Sequence, residues 1–322
     1  MKAAFCTSFS SDDPLSGLTV GERPEPTVPD GWTVVQVKAT SLNHHDLWTL
    51  RGVGITEDRL PMILGCDAAG IDLATGDEVV VHSVISSPDW VGDETMDPKR
   101  SLLSERYQGT LAEQVAVPRA NVIPKPAGMT YAEASCLPTA WLTAYRMLFV
   151  RGGARPGQTV LVQGATGGVA SAAIALAKAA GLRVWATART PDKQETALSL
   201  GAHQAFASGA RLPERVDLVM ETVGKATWSH SVKSLRPGGR IVVSGATSGY
   251  DPGAELNRVF FLQLEVVGST MGTRAELADL IRFLQTTGVR PVIDRTIPLD
   301  AAAEGLRLME AGAQVGKIVL EP

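Results

Sequence analysis

The sequence predicts an α/β protein in which a doubly wound parallel sheet accompanies a smaller β-rich domain, and three observations predict it. Thr159–Gln163 is a short apolar, β-branched run that enters a glycine-rich turn, and Val169–Ala180 continues as an alanine-rich helix. Strand-like and helix-like segments then alternate as far as residue 267, the pattern of parallel βαβ units. The N-terminal third instead alternates like strands and is cut into short pieces by prolines, among them Pro24, Pro26, Pro29, Pro61, Pro88, Pro98, Pro118, Pro124 and Pro126.

Taken in order, Gly31–Ala39 and Asp77–Val81 read as strands, and Asn121–Gly128 reads as the exit from the first domain. The turn after Gln163 places Ala165 where a dinucleotide fingerprint usually has its first glycine, Gly167 and Gly168 where the backbone must come close, and Ala170 in the third place, where alanine is tolerated. Strand, tight turn and helix N-terminus together favour a pyrophosphate, because backbone N–H groups and the helix dipole point at it. Ala165, Thr166, Gly167, Gly168 and Val169 are therefore expected around a cofactor.

Arg183–Thr187 is the next strand, and Thr190 caps a helix that has Pro191 at its first position and ends at Gly201. Val216–Met220 is a buried strand, followed by a helix over Lys225–Leu235 that Pro237-Gly238-Gly239 closes. Arg240–Ser244 is a strand leading into Gly245–Gly249, and Leu262–Val267 is a further strand. A helix starts at Arg274, with Thr273 and Glu276 in capping-box positions. A strand (Val292–Ile297), a helix (Ala301–Ala311) and a last strand (Lys317–Leu320) follow. The expected division is 1–125 with 273–322 for one domain and 126–272 for the cofactor domain, with the active site in a cleft between them.

The end of the second strand speaks to the cofactor. An acidic residue there would hold the ribose 2′-OH of NADH. This chain has Ala188, 24 residues past Gly164, followed by Arg189, Thr190 and Lys193. Two cations and a hydroxyl suit a 2′-phosphate, so the residues favour NADPH.

The bulk properties are those of a soluble enzyme. The net charge is −4 with 20% charged residues, which argues against a nucleic-acid surface. Three widely spaced cysteines, Cys6, Cys66 and Cys136, form no disulfide framework and suit a reducing compartment. No signal peptide is evident, and the longest small and apolar run, Gly167–Ala177, is too short to span a bilayer. A cytoplasmic protein without a membrane partner is expected.

Several motifs in order carry a resemblance over essentially the whole chain: Ser41-Leu42-Asn43-His44-His45-Asp46-Leu47-Trp48, Leu64-Gly65-Cys66-Asp67-Ala68-Ala69-Gly70, Gly76-Asp77-Glu78-Val79, Gly109-Thr110-Leu111-Ala112-Glu113, Leu142-Thr143-Ala144-Tyr145, the glycine turn, Arg236-Pro237-Gly238-Gly239 and Gly316-Lys317-Ile318-Val319-Leu320. The chain resembles zinc-independent members of the medium-chain dehydrogenase/reductase superfamily, near the quinone oxidoreductase and alkene or enoyl reductase branches. The resemblance implies a GroES-like domain joined to a Rossmann domain. It also implies a homodimer, with Leu262–Gly268 pairing edge to edge across a two-fold axis.

Zinc members take catalytic ligands from three positions that match Asn43, Cys66 and Thr139. A catalytic zinc needs three good protein ligands and an open position, and Asn43 and Thr139 are poor ones. The stretch matching the structural-zinc lobe, Ser83–Gln108, has no cysteine. No metal is expected, the rival reading being that Cys66, Asp67 and His45 recruit one in an unusual geometry. Without a Lewis acid, hydride addition to a quinone or conjugated C=C is easier than carbonyl reduction, because the charge spreads to a remote oxygen that needs only hydrogen bonds and a proton. The resemblance makes Asn43 a donor to that oxygen and His45, at the position of a proton-relay hydroxyl, a general acid. Asp46 would orient a neighbour, and His44 would face the pyrophosphate. The two histidines can equally cap a turn beside Asp46.

By the same resemblance Thr139, Thr143, Val223, Gly245 and Ala246 lie at the cofactor, and Met271 and Gly272 form a return loop. Lys317 either approaches the phosphates or stands as a sheet-edge lysine. The expected activity is NADPH-dependent hydride transfer to a small-molecule quinone, enone or other activated C=C. Acyl-thioester reduction, a zinc-type alcohol or aldehyde dehydrogenase, and a non-catalytic NADPH-binding protein are the alternatives.

Overall fold

The computed structural model describes residues 1–322. The chain divides into two units, the first comprising Met1–Ala140, Met271–Gln285 and Arg290–Pro322, the second Trp141–Thr270 and Thr286–Val289.

The first unit is built on β1 (Lys2–Cys6), β2 (Leu18–Glu22), β3 (Trp32–Ser41), β4 (Met62–Ile63), β5 (Asp67–Asp72), β6 (Glu78–Val81), β7 (Val84–Ile85), β8 (Ser101–Leu102), β9 (Gln114–Pro118) and β10 (Val122–Pro124), together with β17 (Ile293–Pro298) and β18 (Lys317–Glu321). Seven of these strands share a sheet in the order β10-β6-β5-β3-β18-β17, with β9 also on β3. Smaller sheets are β2-β1-β4 and β7-β8. β3 shows why the alternating pattern works: Val35, Val37 and Ala39 face the core while Gln36 is exposed. Its inward face packs with Val79, Val81, Val115 and Val117. A second cluster joins helices α1 (His44–Leu50) and α9 (Ala302–Glu310) through Leu47, Leu50, Leu306 and Met309 to Ile318 and Leu320 of β18.

The first unit runs on past residue 125 to Ala140 because α2 (Tyr131–Ser135), capped by Thr130 and Glu133, packs on β3 and β5. The helix expected from Arg274 is α8 (Arg274–Thr287), with Thr273 and Glu276 bonded reciprocally as a capping box.

The second unit begins with α3 (Leu142–Tyr145), flanked by wider helical turns. Its sheet consists of β11 (Thr159–Val162), β12 (Arg183–Ala188), β13 (Gln204–Ala207), β14 (Val216–Glu221), β15 (Leu235–Val243) and β16 (Glu265–Gly268). The order is β13-β12-β11-β14-β15-β16 and every pair is parallel. Helices α4 (Gly168–Ala179), α5 (Pro191–Ser199), α6 (Lys225–Ser234) and α7 (Leu256–Phe261) lie between strands. The chain leaves β11 in opposite directions, so the switch point lies between β11 and β14. Val160, Leu161 and Val162 are buried, as an inner parallel strand requires.

Three features depart from the sequence reading. β13 is an additional edge strand beside β12. The helix from Lys225 ends at Ser234 as expected, but Pro237-Gly238-Gly239 is no loop: it lies inside β15, which starts at Leu235 rather than Arg240, and the pairing shifts between Val216 and Leu218. The strand expected from Leu262 starts at Glu265, because Leu262 closes α7 and Gln263 turns left-handed at φ 52°. No helix is long and apolar enough to cross a membrane.

Candidate active site and cofactor site

In the second unit the glycine turn is folded as an anion cradle. Gly164 adopts φ +78°, a conformation only glycine takes without strain, and turns the chain at the end of β11. Gly167 is the N-cap of α4, and a Cβ there would meet no protein atom within 4 Å. Its glycine is therefore not needed for packing and leaves the outer face open for close approach by a ligand. Ala165 and Thr166 are buried, and Val169 lies in the first turn of α4. Ala188 ends β12, and Arg189 and Thr190 after it are exposed. Thr190 Oγ1 accepts the Lys193 N–H at 3.4 Å, which leaves its own O–H to donate. The Thr222–Gly224 loop after β14 carries Val223, and the loop after β15 carries Gly245 and Ala246. The two loops are tied by Ser248 N to Val223 O at 2.8 Å and Lys225 N to Gly249 O at 2.9 Å. Thr143 is a buried residue of α3.

In the first unit α1 begins at Asn43 because Asp46 reaches back to it. Asp46 Oδ2 accepts Asn43 N at 2.8 Å and Oδ1 accepts Gly65 N at 3.0 Å. Burial, partly offset by the Asn43 N–H, pushes the Asp46 carboxyl up to about 6. His44 is exposed on α1. His45 points both ring nitrogens at acidic groups, Nδ1 lying 3.2 Å from Cys66 Sγ and Nε2 3.2 Å from Glu105 Oε1. Cys66 in turn donates to Leu103 O at 3.2 Å. Burial opposes protonation of His45, but the Cys66 sulfur and Glu105 outweigh it and hold its pKa well above the ordinary imidazole value. Burial likewise works against the Glu105 carboxylate, yet His45 and the Leu102 N–H hold it below the usual range. Burial pushes the Cys66 thiol up. Between Leu103 and Glu105, Ser104 is held at φ +71° with its buried hydroxyl unpartnered. That is local strain in the turn that brings both groups onto Cys66 and His45.

A second buried network lies on the other side of Asn43. Lys317 Nζ donates to Leu42 O and Asn43 Oδ1, each at 2.6 Å, and to Asp67 Oδ2 at 3.2 Å. Asp67 Oδ2 also accepts from Ser41 Oγ at 2.7 Å and Asn43 Nδ2 at 2.8 Å, and Asn43 Nδ2 gives its other hydrogen to Ser41 O at 3.2 Å. Two expectations change. Lys317 is neither a phosphate ligand nor an edge lysine, because an ammonium has three hydrogens and all three are taken inside the first unit. Asn43 has no amide hydrogen left for a substrate oxygen, because its donors and its acceptor are all committed.

Met271 is buried with φ +48°, and Gly272 O lies 3.0 Å from His82 Nε2. Thr139 Oγ1 is buried without a hydrogen-bond partner. Sequence reasoning missed Glu105, which stands 60 positions from His45, and brought Cys66 and His45 together only as rival metal ligands, not as a hydrogen-bonded pair.

Residues 29–127 match the family described as alcohol dehydrogenase GroES-like domain, and residues 168–286 match the zinc-binding dehydrogenase family. The 2-methylene-furan-3-one reductase of Solanum lycopersicum is 31% identical over 100% of this chain and 79% of its own length. The acryloyl-coenzyme A reductase of Sulfurisphaera tokodaii is 29% identical over 96% of this chain and 98% of its own. A crystal structure of an NAD-dependent alcohol dehydrogenase superposes with a TM-score of 0.91 at 34% identity, covering 100% of both chains.

The chain belongs to the medium-chain dehydrogenase/reductase superfamily.

It is thus an oxidoreductase with a GroES-like domain and a Rossmann domain. The zinc-binding description of this superfamily implies a metal, and the residues do not fit one. Asn43 and Thr139 stand at two of the three positions the zinc ligands would take, and the Asn43 amide is used up by Lys317, Asp67 and Ser41. The two imidazole nitrogens diverge, so Cys66 and Glu105, on different ring nitrogens of His45, do not converge on one ion. No group of three or more His, Cys, Asp or Glu side chains is arranged to hold a metal.

Proposed function

We propose that this superfamily member is an NADPH-dependent, zinc-free reductase of conjugated C=C bonds or quinones, acting on small molecules in the cytoplasm as a homodimer. The observation that carries the reading is the donor set at the would-be zinc positions, where Asn43 is bonded to the buried Lys317 ammonium instead of to a metal. The names of two relatives, an acryloyl-coenzyme A reductase and a 2-methylene-furan-3-one reductase, both denote conjugated acceptors and support the reading.

NADPH, when bound, supplies the hydride. The glycine turn and the α4 N-terminus receive its pyrophosphate, and Arg189, Thr190 and Lys193 receive its 2′-phosphate. Hydride addition to a conjugated acceptor leaves an enolate that must take a proton. His45 holds its proton between Cys66 and Glu105, so it would pass one on only by giving up one of those two contacts. Asp46 sets the start of α1 and so the direction of His45. The exposed β16 edge, with Val266 49% exposed, and the exposed Phe260 and Phe261 of α7 support a dimer in which two copies would pair along that edge.

The test is NADPH oxidation by metal-stripped protein with enones, enoyl thioesters, quinones and aldehydes. Turnover of a conjugated class without zinc is expected. Activity on aldehydes alone, restored only by zinc, would return the protein to the alcohol dehydrogenases that its 34% identical structural neighbour represents. Tight NADPH binding with no turnover would make it a binding protein. Sedimentation at micromolar concentration checks the dimer.

A further inference from the structure

Three strand ends in the second unit are joined by one buried polar chain. At the end of β12, Thr187 Oγ1 accepts Gly164 N at 3.3 Å and donates to Gln163 Oε1 at 2.7 Å. Gln163 Nε2, just past β11, reaches Ser231 Oγ and His230 Nδ1 of α6, each at 2.9 Å. Ser231 Oγ donates to Glu221 Oε2 at 2.6 Å, at the end of β14. Glu221 Oε1 then accepts Val223 N at 2.8 Å and Gly224 N at 2.9 Å, and Thr227 Oγ1 lies 2.9 Å from both carboxylate oxygens. Gln163, Thr187, Glu221 and Ser231 are all at most 1% exposed.

The Glu221 partners are all neutral N–H and O–H groups. A buried carboxylate held this way is a costly choice where an apolar residue would pack, and such groups are kept where they impose one conformation. The two ends of the chain show which conformation that is. One end fixes the Gly164 amide, the first residue of the glycine turn. The other fixes Val223 and Gly224. A Cβ on Gly164 would stand 3.6 Å from Val223 Cγ2, so the turn and the loop are neighbours across the switch point. Gly224, at φ +90°, is so close to the next loop that a Cβ would meet Gly249 O at 2.5 Å.

We propose that Gln163 and Glu221 are positioning residues for the cofactor, presetting both walls of the dinucleotide crevice before it binds. The proposal rests on the reading that the second unit takes NADPH, but not on the identity of the acceptor. A wall already in its bound conformation spares the binding energy that ordering it would consume.

The experiment measures NADPH affinity by nucleotide fluorescence together with amide hydrogen exchange of the cofactor-free protein. Glu221→Gln keeps the shape but removes the charge and turns an N–H₂ group toward donors. It is expected to raise the NADPH Kd about tenfold, the scale of one lost charge-assisted hydrogen bond, and to speed exchange at Val223 and Gly224. Ser231→Ala cuts the chain between the two ends and carries the test if Glu221→Gln does not fold. It is expected to raise Kd and to speed exchange at Gly164 as well. Faster exchange with Kd within twofold of the parent would overturn the proposal and leave the network a structural one. A parent protein that binds neither NADPH nor NADH would overturn the cofactor reading itself, and the proposal with it.

Discussion

Lys317 and Asp67 form a buried ion pair at 3.2 Å, with side chains 3% and 0% exposed, beneath the start of α1. Leu42 and Asn43 complete the ammonium's partners, and Ser41 and Asn43 join Lys317 on Asp67 Oδ2, while Asp67 Oδ1 is buried without a partner.

Removing one partner should therefore cost far more than removing both. Lys317→Met strands the Asp67 carboxylate, at a cost of about 3–5 kcal/mol of stability. Lys317→Met with Asp67→Asn should recover most of that. Urea unfolding of the three proteins decides it. A single variant as stable as the parent, with NADPH affinity lost instead, would restore Lys317 to the phosphates.

The His45–Glu105 pair gives a pH signature. The folded pKa of His45 is raised, so its contribution is complete below the unfolded value and is lost as pH climbs through the folded one. The folded pKa of Glu105 is lowered, so its contribution is present above the unfolded value and is lost as pH falls through the folded one. The stability difference between the parent and Glu105→Gln should peak between about pH 4.5 and 6.5. It should reach roughly 1 kcal/mol there and shrink in alkali. Thermal midpoints across a pH series measure it, and a difference that stays flat from acid to alkali would count against the pair.

Arg189→Ala should weaken NADPH by about tenfold or more while leaving NADH within about twofold, because only the former has a phosphate to lose. Parallel fluorescence titrations read the ratio. Equal losses for both nucleotides would remove Arg189 from the 2′-phosphate site.

All three cysteines are free and buried. Burial pushes Cys6 up to about 11 and Cys136 up to about 12, and it raises Cys66 despite His45. A thiol reagent at about pH 8 should label none of them quickly in the native protein and all three after denaturation. Rapid native labelling at Cys66 would mean that His45 draws off its proton.

Much of the second unit was legible in the chain. Apolar runs of strand length, the Thr190 cap with Pro191 behind it and the glycine turn are local signals, and they act over a few residues. α7 and β13 were not legible, because Leu256–Phe261 carries exposed Leu256, Phe260 and Phe261 with no apolar face to reveal a period, and Gln204–Ala207 is a short edge. Within the candidate site, Asp46 as an orienting group could be argued from its place two residues after His44. The saturation of Asn43 and Lys317 could not.

The sequence by itself determined the order of strands and helices, the anion-binding turn and the absence of an acid at Ala188, because each depends on neighbours along the chain. Only the tertiary structure decided what Lys317, Glu105 and Glu221 do. Lys317 meets Asn43 and Asp67 across 274 and 250 residues, and Glu105 meets His45 across 60. Which buried donor meets which acceptor is set by sheet pairing between distant segments, and no periodicity or cap encodes it.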